Sequence, residues 1–297
     1  MKSLNVPKQL TQNAKRVAAI AVLVVTLFLF GYYIHQHPHI LDGLHQLSTF
    51  IIALLLFLFA LVLATNAYIL HWSVQLCSRS ISYFETLLLT SYSSLVNFFG
   101  PLQSGPGFRA LYLKRKHDVS LKSYTSATLL YYGLFGFTNL LFLLFGLPRN
   151  LALILLAVLV VGAVVGFRLL SKRVGLIKHP TEIAHIAIMT MLQVGIMAMV
   201  YFVELHTVNH SISLSQTLVY TGAANLALFV SLTPGALGIR ESFLYFSQDL
   251  HHISTANIVS ASIIDRGVYF ILLGLLFAFT AIFHIQDRLK SSSAAKD

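Results

Sequence analysis

Six uncharged, apolar stretches constrain the fold of this chain more than any other feature of its sequence. Each has roughly the 20 residues that an α-helix needs to cross about 30 Å of lipid hydrocarbon. Only 10% of the 297 residues are charged, whereas soluble domains carry about 25%. The sequence therefore predicts an all-α polytopic membrane protein and excludes an ordinary soluble domain. The predicted transmembrane helices are residues 17–34, 50–70, 123–147, 151–167, 183–203 and 267–285.

The formal net charge of +10 could indicate a nucleic-acid-binding protein, but the distribution of the basic residues argues against one. They form short clusters between the spans, such as residues 114–116, and no basic face belongs to a readable domain. We expect no nucleic-acid partner and a multi-pass protein of the cytoplasmic (inner) membrane. With both termini in the cytoplasm, every Lys and Arg lies on or near the cytoplasmic side except Arg149, Arg240 and Arg266.

This orientation makes segments 81–108 and 212–239 each begin and end on one side of the membrane. Neither can cross it once, so we predict two broken, re-entrant hairpins in addition to about six full transmembrane helices. Broken backbone at membrane depth persists only where protein or water satisfies its polar groups. Residues suited to the turns are present in both segments, namely Pro101, Gly105, Pro106 and Gly107 in the first and Pro234, Gly235 and Gly238 in the second.

The two hairpin segments are also similar in sequence. Residues 81–90 (ISYFETLLLT) align with 212–221 (ISLSQTLVYT), Pro101-x3-Gly105 aligns with Pro234-x3-Gly238, and Gly133 aligns with Gly267. Three spans lie between the copies, and an odd number of crossings inverts the second copy. Inverted repeats with Gly/Pro-broken segments at matching positions are typical of transporters. We predict one membrane domain over 1–297, with repeats at about 81–147 and 212–285 and a short cytoplasmic tail at 286–297.

Four charged residues lie near the second predicted turn: Arg240 and Glu241 after it, and Asp265 and Arg266 at the start of the predicted last span. A charge near the bilayer centre costs roughly 2.5–3.5 kcal/mol, so it normally marks a site or a pair. Adjacent helical residues do not face each other, so we expect Arg240 to pair with Asp265, or Glu241 with Arg266. The alternative is that all four lie at the outer membrane interface.

Arg109 is the nearest counterpart of these residues in the first repeat, and an arginine can bind a phosphate through two hydrogen bonds. Tyr131, Tyr132 and Trp72 are interpreted as packing or lipid-facing residues. The single cysteine, Cys77, excludes an internal disulfide. We expect no metal site and no cofactor, because zinc and nucleotide motifs are absent, although eight histidines fall in predicted outer regions: His35, His37, His39, His45, His206, His210, His251 and His252.

Four motifs carry a resemblance to a known family: Asn97-x3-Pro101-x3-Gly105-x3-Arg109, Val119-Ser120, Thr233-Pro234-Gly235-x2-Gly238-x-Arg240-Glu241 and Arg266. They resemble those of the lysylphosphatidylglycerol synthase transmembrane-region family, also called flippase-like domain proteins. The resemblance covers most of the chain and implies binding, and translocation, of phospholipids or lipid-linked headgroups. It implies no catalysis, because the aminoacyl-transferase domain of larger members has no counterpart in these residues.

The first repeat departs from the family pattern at two places. Pro106 stands where members usually have an acidic residue, and Tyr131-Tyr132 where they usually have Glu-Arg. The first half has therefore lost charges that the second half keeps, which leaves a one-sided lipid-binding role open.

The function predicted from the sequence is binding and transbilayer movement of a membrane phospholipid or lipid-linked substrate, without a nucleotide as energy source. Two alternatives remain open. One is a proton-coupled transporter of a small solute that uses Glu241 and Asp265, and the other is a non-transporting accessory that presents lipid to a partner enzyme. Each of these functions is compatible with a partner enzyme or with a homo-oligomer of this chain.

Overall fold

The computed structural model describes residue 32, residues 35–36, and residues 47–99, 104–174, 179–230 and 239–293, with residue 170 and residues 172–174 and 284–293 described by their backbone alone. The described residues from 47 onward belong to one compact unit. All regular elements in the described residues are helical: α1 (Thr49–Leu76), α2 (Tyr83–Phe99), α3 (Ser104–His117), α4 (Leu121–Leu143), α5 (Arg149–Val174), α6 (Pro180–Val208), α7 (Leu214–Ala227), α8 (Ile239–Phe246), α9 (Gln248–His251) and α10 (Thr255–Ser293). Single 3-10 turns, Leu144–Gly146 and Leu228–Val230, extend α4 and α7.

Five of the described helices are long and apolar enough to cross a membrane, and they confirm five of the six predicted spans. They are Thr49–Leu76, Leu121–Gly146, Arg149–Leu169, Pro180–Val208 and Thr255–Phe283. The sixth prediction, residues 17–34, lies outside the described residues. The protein is therefore an all-α, multi-pass membrane protein.

Serine caps begin several of these helices. The Ser48 and Ser120 hydroxyls accept hydrogen bonds from the backbone N–H groups of Ile51 and Ser123. Ser213 forms a capping box with Gln216, in which each side chain accepts from the backbone of the other residue. These bonds satisfy N–H groups that a helix leaves unpaired in its first turn.

Two pairs of shorter helices correspond to the predicted hairpins. Helices α2 and α3 have 17 and 14 residues, and α7 and α8 have 14 and 8, all below the length of about 20 residues that spans a bilayer. The helices of each pair pack against each other. The turns between them, residues 100–103 and 231–238, lie outside the described residues.

Each long helix that follows a hairpin packs on the first helix of the other hairpin. Helix α4 packs on α7, where the Asn225 side-chain amide donates to Asn139 Oδ1 at 2.8 Å. Helix α10 packs on α2, where the Tyr92 hydroxyl donates to the Thr280 carbonyl at 3.2 Å. The two copies of the sequence similarity are thus packed into one unit. Their inverted orientation and the tail at 286–297 stay predictions.

Two sequence-based boundaries are wrong in a way that matters for the site. Helix α10 begins at Thr255, twelve residues before the predicted span, so Asp265 and Arg266 lie inside the helix and not at its start. Helix α6 continues to Val208, five residues beyond the predicted span, so Glu204, directly after the predicted end, lies in the helix and is buried. The error arose because a charge was used to end each predicted span, whereas buried partners allow charges within these helices.

Candidate functional site

A cavity of about 300 Å³ lies between the two hairpins. Side chains of α2 and α3 line one part of it, those of α8 and α10 another, and those of α1, α4 and α6 complete the wall. The polar and charged lining residues are Asn66, Ser93, Ser94, Asn97, Arg109, Tyr131, Tyr132, Gln193, Tyr201, Arg240, Asp265, Arg266 and Tyr269.

Two ion pairs join the second hairpin to α10 at this cavity. Arg240 Nη2 lies 2.7 Å from Asp265 Oδ2, and Arg266 donates to Glu241 Oε1 from Nε at 3.1 Å. The sequence predicted one or the other of these pairs, and the structure contains both. Because each pair joins different helices, it fixes α8 against α10 at the cavity wall.

The first pair is buried within the protein. Arg240 is 8% exposed and Asp265 is 7% exposed. Asp265 lies ten residues into α10, which places it about 15 Å along the helix axis from the first residue. Neighbouring helices therefore shield both groups from solvent, whereas their depth in the bilayer, at its centre or at the outer interface, stays a prediction.

Arg109, on α3, faces the cavity without a carboxylate within ion-pair distance among the described residues. Its Nε donates to the Ser93 hydroxyl at 2.6 Å, and Tyr124 is a further polar neighbour. Three arginines therefore lie at the cavity, and the carboxylates of Asp265 and Glu241 pair with two of them, Arg240 and Arg266. The arrangement favours an anion in the cavity, close to Arg109.

The first repeat has no counterpart of the charged residues Asp265 and Arg266, because Tyr131 and Tyr132 stand in their place. Since Gly133 aligns with Gly267, these tyrosines occupy the positions of Asp265 and Arg266 in the other copy. Both line the cavity, and the Tyr131 hydroxyl donates to Gln193 Oε1 at 3.1 Å. Tyr131 also packs on Phe135, and Tyr132 on Phe229, as expected of packing residues, so their place in the cavity wall is an additional feature that the sequence analysis did not predict. Their alignment with the charged pair was the signal that could have identified them.

Asn97 and Gly105 position the first hairpin. The Gly105 backbone N–H donates to Asn97 Oδ1 at 3.4 Å, and a Cβ at Gly105 would lie 2.8 Å from the Ser93 carbonyl oxygen. Only glycine therefore permits this approach of α3 to α2. Both residues line the cavity. Pro106 and Gly107, which were also predicted in the turn, lie with Gly105 in the first turn of α3, whereas Pro101, Pro234, Gly235 and Gly238 lie outside the described residues.

Glu204 is a buried residue that sequence reasoning missed. It is 1% exposed, and neither carboxyl oxygen has a hydrogen-bond partner in the described part of the chain. It interacts electrostatically with Asp265 and Arg240, which line the cavity. Its position directly after the predicted end of a span concealed it, because a glutamate there is ordinarily solvated.

A second polar network closes the open end of the first hairpin, outside the five spans. Glu85 accepts hydrogen bonds from the Tyr112 hydroxyl at 2.6 Å and forms ion pairs with Lys116 and His117 at 2.7 and 2.8 Å. Burial alone would raise the pKa of the Glu85 carboxyl, but the donors from Lys116, Tyr112 and His117 outweigh it and lower the pKa to about 2. This network holds α2 against α3 and is remote from the cavity.

No group of three or more His, Cys, Asp and Glu side chains is placed to hold a metal ion in the described ranges. One of the outer histidines of the sequence analysis, His251, is instead buried in the core beside α7. Its ring nitrogens bond to the Leu244 carbonyl at 3.0 Å and the Ile253 N–H at 3.1 Å. His251 therefore connects α8 to the start of α10 through backbone contacts.

Comparison with known families adds to this geometry. Residues 16–276 match the family described as lysylphosphatidylglycerol synthase TM region. The chain belongs to this family. Membership indicates a function related to membrane lipids and confirms the resemblance drawn from the turn motifs. No curated protein and no solved structure matches the chain.

Proposed function

We propose that this member of the lysylphosphatidylglycerol synthase TM region family binds a phospholipid or lipid-linked molecule by its phosphate-bearing headgroup and moves it across the membrane. The observation that carries the proposal is the central cavity, where Arg109 faces the interior with no carboxylate partner among the described residues. Arg240 and Arg266, in contrast, are each matched by a carboxylate. The unmatched guanidinium is suited to a phosphate oxygen.

The helix ends at the cavity support the same ligand. The second helix of each hairpin begins there, because Gly105 and Pro106 at the start of α3 and Arg240 at the start of α8 are lining residues. A helix N-terminus carries partial positive charge and free N–H groups. Two such ends and an arginine favour an anionic headgroup over a cationic one.

The size and the edge of the cavity favour a lipid. Pockets that enclose a whole small ligand measure about 300–1,000 Å³, so a cavity of about 300 Å³ suits a headgroup and leaves acyl chains outside. Phe229 lines the cavity and is also 45% exposed at the molecular surface. An apolar edge of this kind allows the acyl chains to remain in the bilayer while the headgroup is bound.

The remaining parts of the proposal follow from the sequence. The protein acts in the cytoplasmic membrane with both termini in the cytoplasm, as a binding and translocating protein and not as an enzyme. Without a nucleotide site, the movement is downhill or coupled to an ion gradient.

A binding experiment tests the assignment of Arg109. Detergent-solubilised protein is titrated with phosphatidylglycerol, with diacylglycerol, which lacks the phosphate, and with inorganic phosphate. We expect the phospholipid to bind most tightly and Arg109→Gln to weaken it about tenfold or more, since hydrogen bonds to charged groups contribute about 1.5–3 kcal/mol. Arg149→Gln, at an exposed position, is the matched control and should bind like the wild type.

Each result has a defined consequence. Equal binding of diacylglycerol, or unchanged binding by Arg109→Gln, would contradict a phosphate site at Arg109. Binding of inorganic phosphate in preference to the lipid would favour the transporter of a small solute.

A transport experiment tests translocation separately. In proteoliposomes with a fluorescent phospholipid, we expect Glu241→Gln and Arg266→Ala to abolish lipid movement while the proteins still insert and purify, because each breaks the link between α8 and α10. Wild-type turnover by both variants would refute a role for this pair. A wild-type protein that binds lipid but moves none would favour the accessory that presents lipid to a partner enzyme.

A further inference from the structure

Glu204 is the buried acid that the lipid-binding role does not use. It lies on α6, is 1% exposed, and both of its oxygens lack hydrogen-bond donors among the described side chains and backbone groups. An isolated carboxylate in such surroundings is very unfavourable, since neither water nor a donor replaces its hydration. The carboxyl group must therefore be balanced by a cation or carry a proton.

The groups that face Glu204 come from several helices. Asp265 of α10 and Arg240 of α8 are its charged neighbours, and the phenols of Tyr201 on its own helix and Tyr220 on α7 interact with it electrostatically. His206, two residues further along α6, stacks on Phe202.

The other helices packed on α6 bring no acid or base to this level. Tyr131 of α4 contacts Gln193, about 16 Å along α6 from Glu204, and Trp72 of α1 stacks on His185, further away still. Arg240 is therefore the one cation near Glu204 among the described residues.

Arg240 can neutralise one of the two carboxyl groups but not both. Its Nη2 is 2.7 Å from Asp265 Oδ2, so the charge of Asp265 is the one that is matched. Two adjacent carboxyl groups in a water-excluded site share a proton, because both cannot ionise at once. With Asp265 ionised, the proton resides on Glu204.

We propose that Glu204 and Asp265 form a site for one shared proton, and that exchange of this proton with water controls how strongly Arg240 binds the headgroup. When the O–H bond of Glu204 breaks, the proton passes to water and the negative charge stays on Glu204, beside that of Asp265. Arg240, whose Nε also lies 3.9 Å from Glu241 Oε1, then faces one more carboxylate and is less available to a phosphate. The proton site rests on the burial of Glu204, on its unpartnered oxygens and on the pairing of Arg240 with Asp265, whereas the link to the headgroup rests on the proposed function.

The direction of the pH dependence follows from this exchange. When the shared proton is lost at high pH, two carboxylates compete with the phosphate for Arg240, and the affinity for an anionic headgroup falls. One proton limits the fall to about tenfold per pH unit. Acidification should accordingly strengthen headgroup binding until the site is fully protonated.

Infrared spectroscopy of the reconstituted protein tests the proton itself. A protonated carboxylic acid has a carbonyl stretch that a carboxylate lacks, so we expect this band in the wild type and its loss in Glu204→Gln. Glu182→Gln, on the same helix beside His179, is the matched control and should keep the band. Asp265→Asn should also lose the band, because Glu204 then becomes the ionised partner of Arg240. If Glu204→Gln does not fold, Asp265→Asn tests the proton assignment in its place.

Persistence of the band in Glu204→Gln or Asp265→Asn, or its absence from the wild type, would overturn the proton assignment. The link to the headgroup is tested by titrating phosphatidylglycerol across pH, where the wild type should weaken as the pH rises and Glu204→Gln should not. A Glu204→Gln variant as pH-dependent as the wild type would overturn the link. If the wild type bound no phosphatidylglycerol, the proposed function would fail while the infrared result still decided the proton site.

Discussion

Arg240 and Asp265 stabilise the protein through an ion pair that little water reaches, and the stability of this pair depends on both partners being present. Burial removes the hydration of both groups, so removal of the arginine leaves a carboxylate in the core without its cation. The exposed pair of Arg79 and Asp118, with Nη2 and Oδ2 at 3.0 Å, is similar in geometry but retains its water. The two pairs therefore separate the effect of burial from that of distance.

We predict that Arg240→Gln destabilises the protein by about 3–5 kcal/mol, and that Asp265→Asn destabilises it by less, because Glu204 then ionises as the partner of Arg240. The exchange of the two residues, Arg240→Asp with Asp265→Arg, should restore much of this loss. Arg79→Gln is the control and should cost at most about 1 kcal/mol. Thermal unfolding in detergent measures all of these, and single variants that unfold at the wild-type temperature would contradict the buried pair.

At the scale of the element, the first hairpin depends on how closely α3 approaches α2. Gly105 allows this contact, and the same approach aligns Arg109 with the Ser93 hydroxyl one turn further along α3. The network of Glu85 at the open end and the Gly105 contact at the closed end hold the two helices at both ends. The position of the Arg109 guanidinium in the cavity is therefore a property of the hairpin.

We predict that Gly105→Ala destabilises the protein by about 1–3 kcal/mol, since overpacking forces backbone shifts, and that it weakens lipid binding by displacing Arg109. Gly107→Ala is a control from the same turn of helix, because a Cβ there meets nothing within 4 Å. It should be neutral or slightly stabilising, as alanine favours helix more than glycine does. Equal stability of both variants would show that α2 and α3 can separate without cost.

At the scale of the whole molecule, the orientation of the two hairpins decides whether alternating access is available to the cavity. Each hairpin contributes to the wall, and each is followed by a long helix that packs on the other hairpin. If one hairpin opens to the cytoplasm and the other to the outside, movement of one against the other can expose the cavity to either side.

Cysteine labelling tests this orientation. Cys77 is replaced by serine, although burial already raises the pKa of its thiol to about 11 and suppresses its reactivity. Single cysteines are then introduced at Ser104 and Ala236, near the two turns. We predict that a small, membrane-impermeant thiol reagent reaches Ser104→Cys only from the cytoplasm and Ala236→Cys only from outside. Cysteines at Lys116 and Gln36 mark the two sides, and labelling of both turns from the same side would rule out an inverted repeat.

The sequence alone determined the class of the fold and much of the site. In lipid, the backbone N–H and C=O groups of an uncharged stretch of about 20 residues are satisfied by forming a helix. The broken turns indicated where the two hairpins lie. The cost of charge in lipid predicted the partners of Arg240 and Glu241, because few partners of opposite sign were near. Gly105 and Arg109 followed from the same turns, Asn97 followed from the family resemblance, and the structure places all three at the cavity.

Only the tertiary structure revealed the burial of Glu204, the place of Tyr131 and Tyr132 in the cavity wall, and the position of Asp265 inside α10. A span predicted from hydropathy ends at a charged residue, whereas the helix itself continues wherever packing gives that residue a partner. A tyrosine reads the same in sequence whether it faces lipid or a cavity. These features depend on which helices contact each other. The contacts among α4, α6, α8 and α10 are set by the shapes of their packed side chains, and hydropathy along the chain carries no information about those shapes.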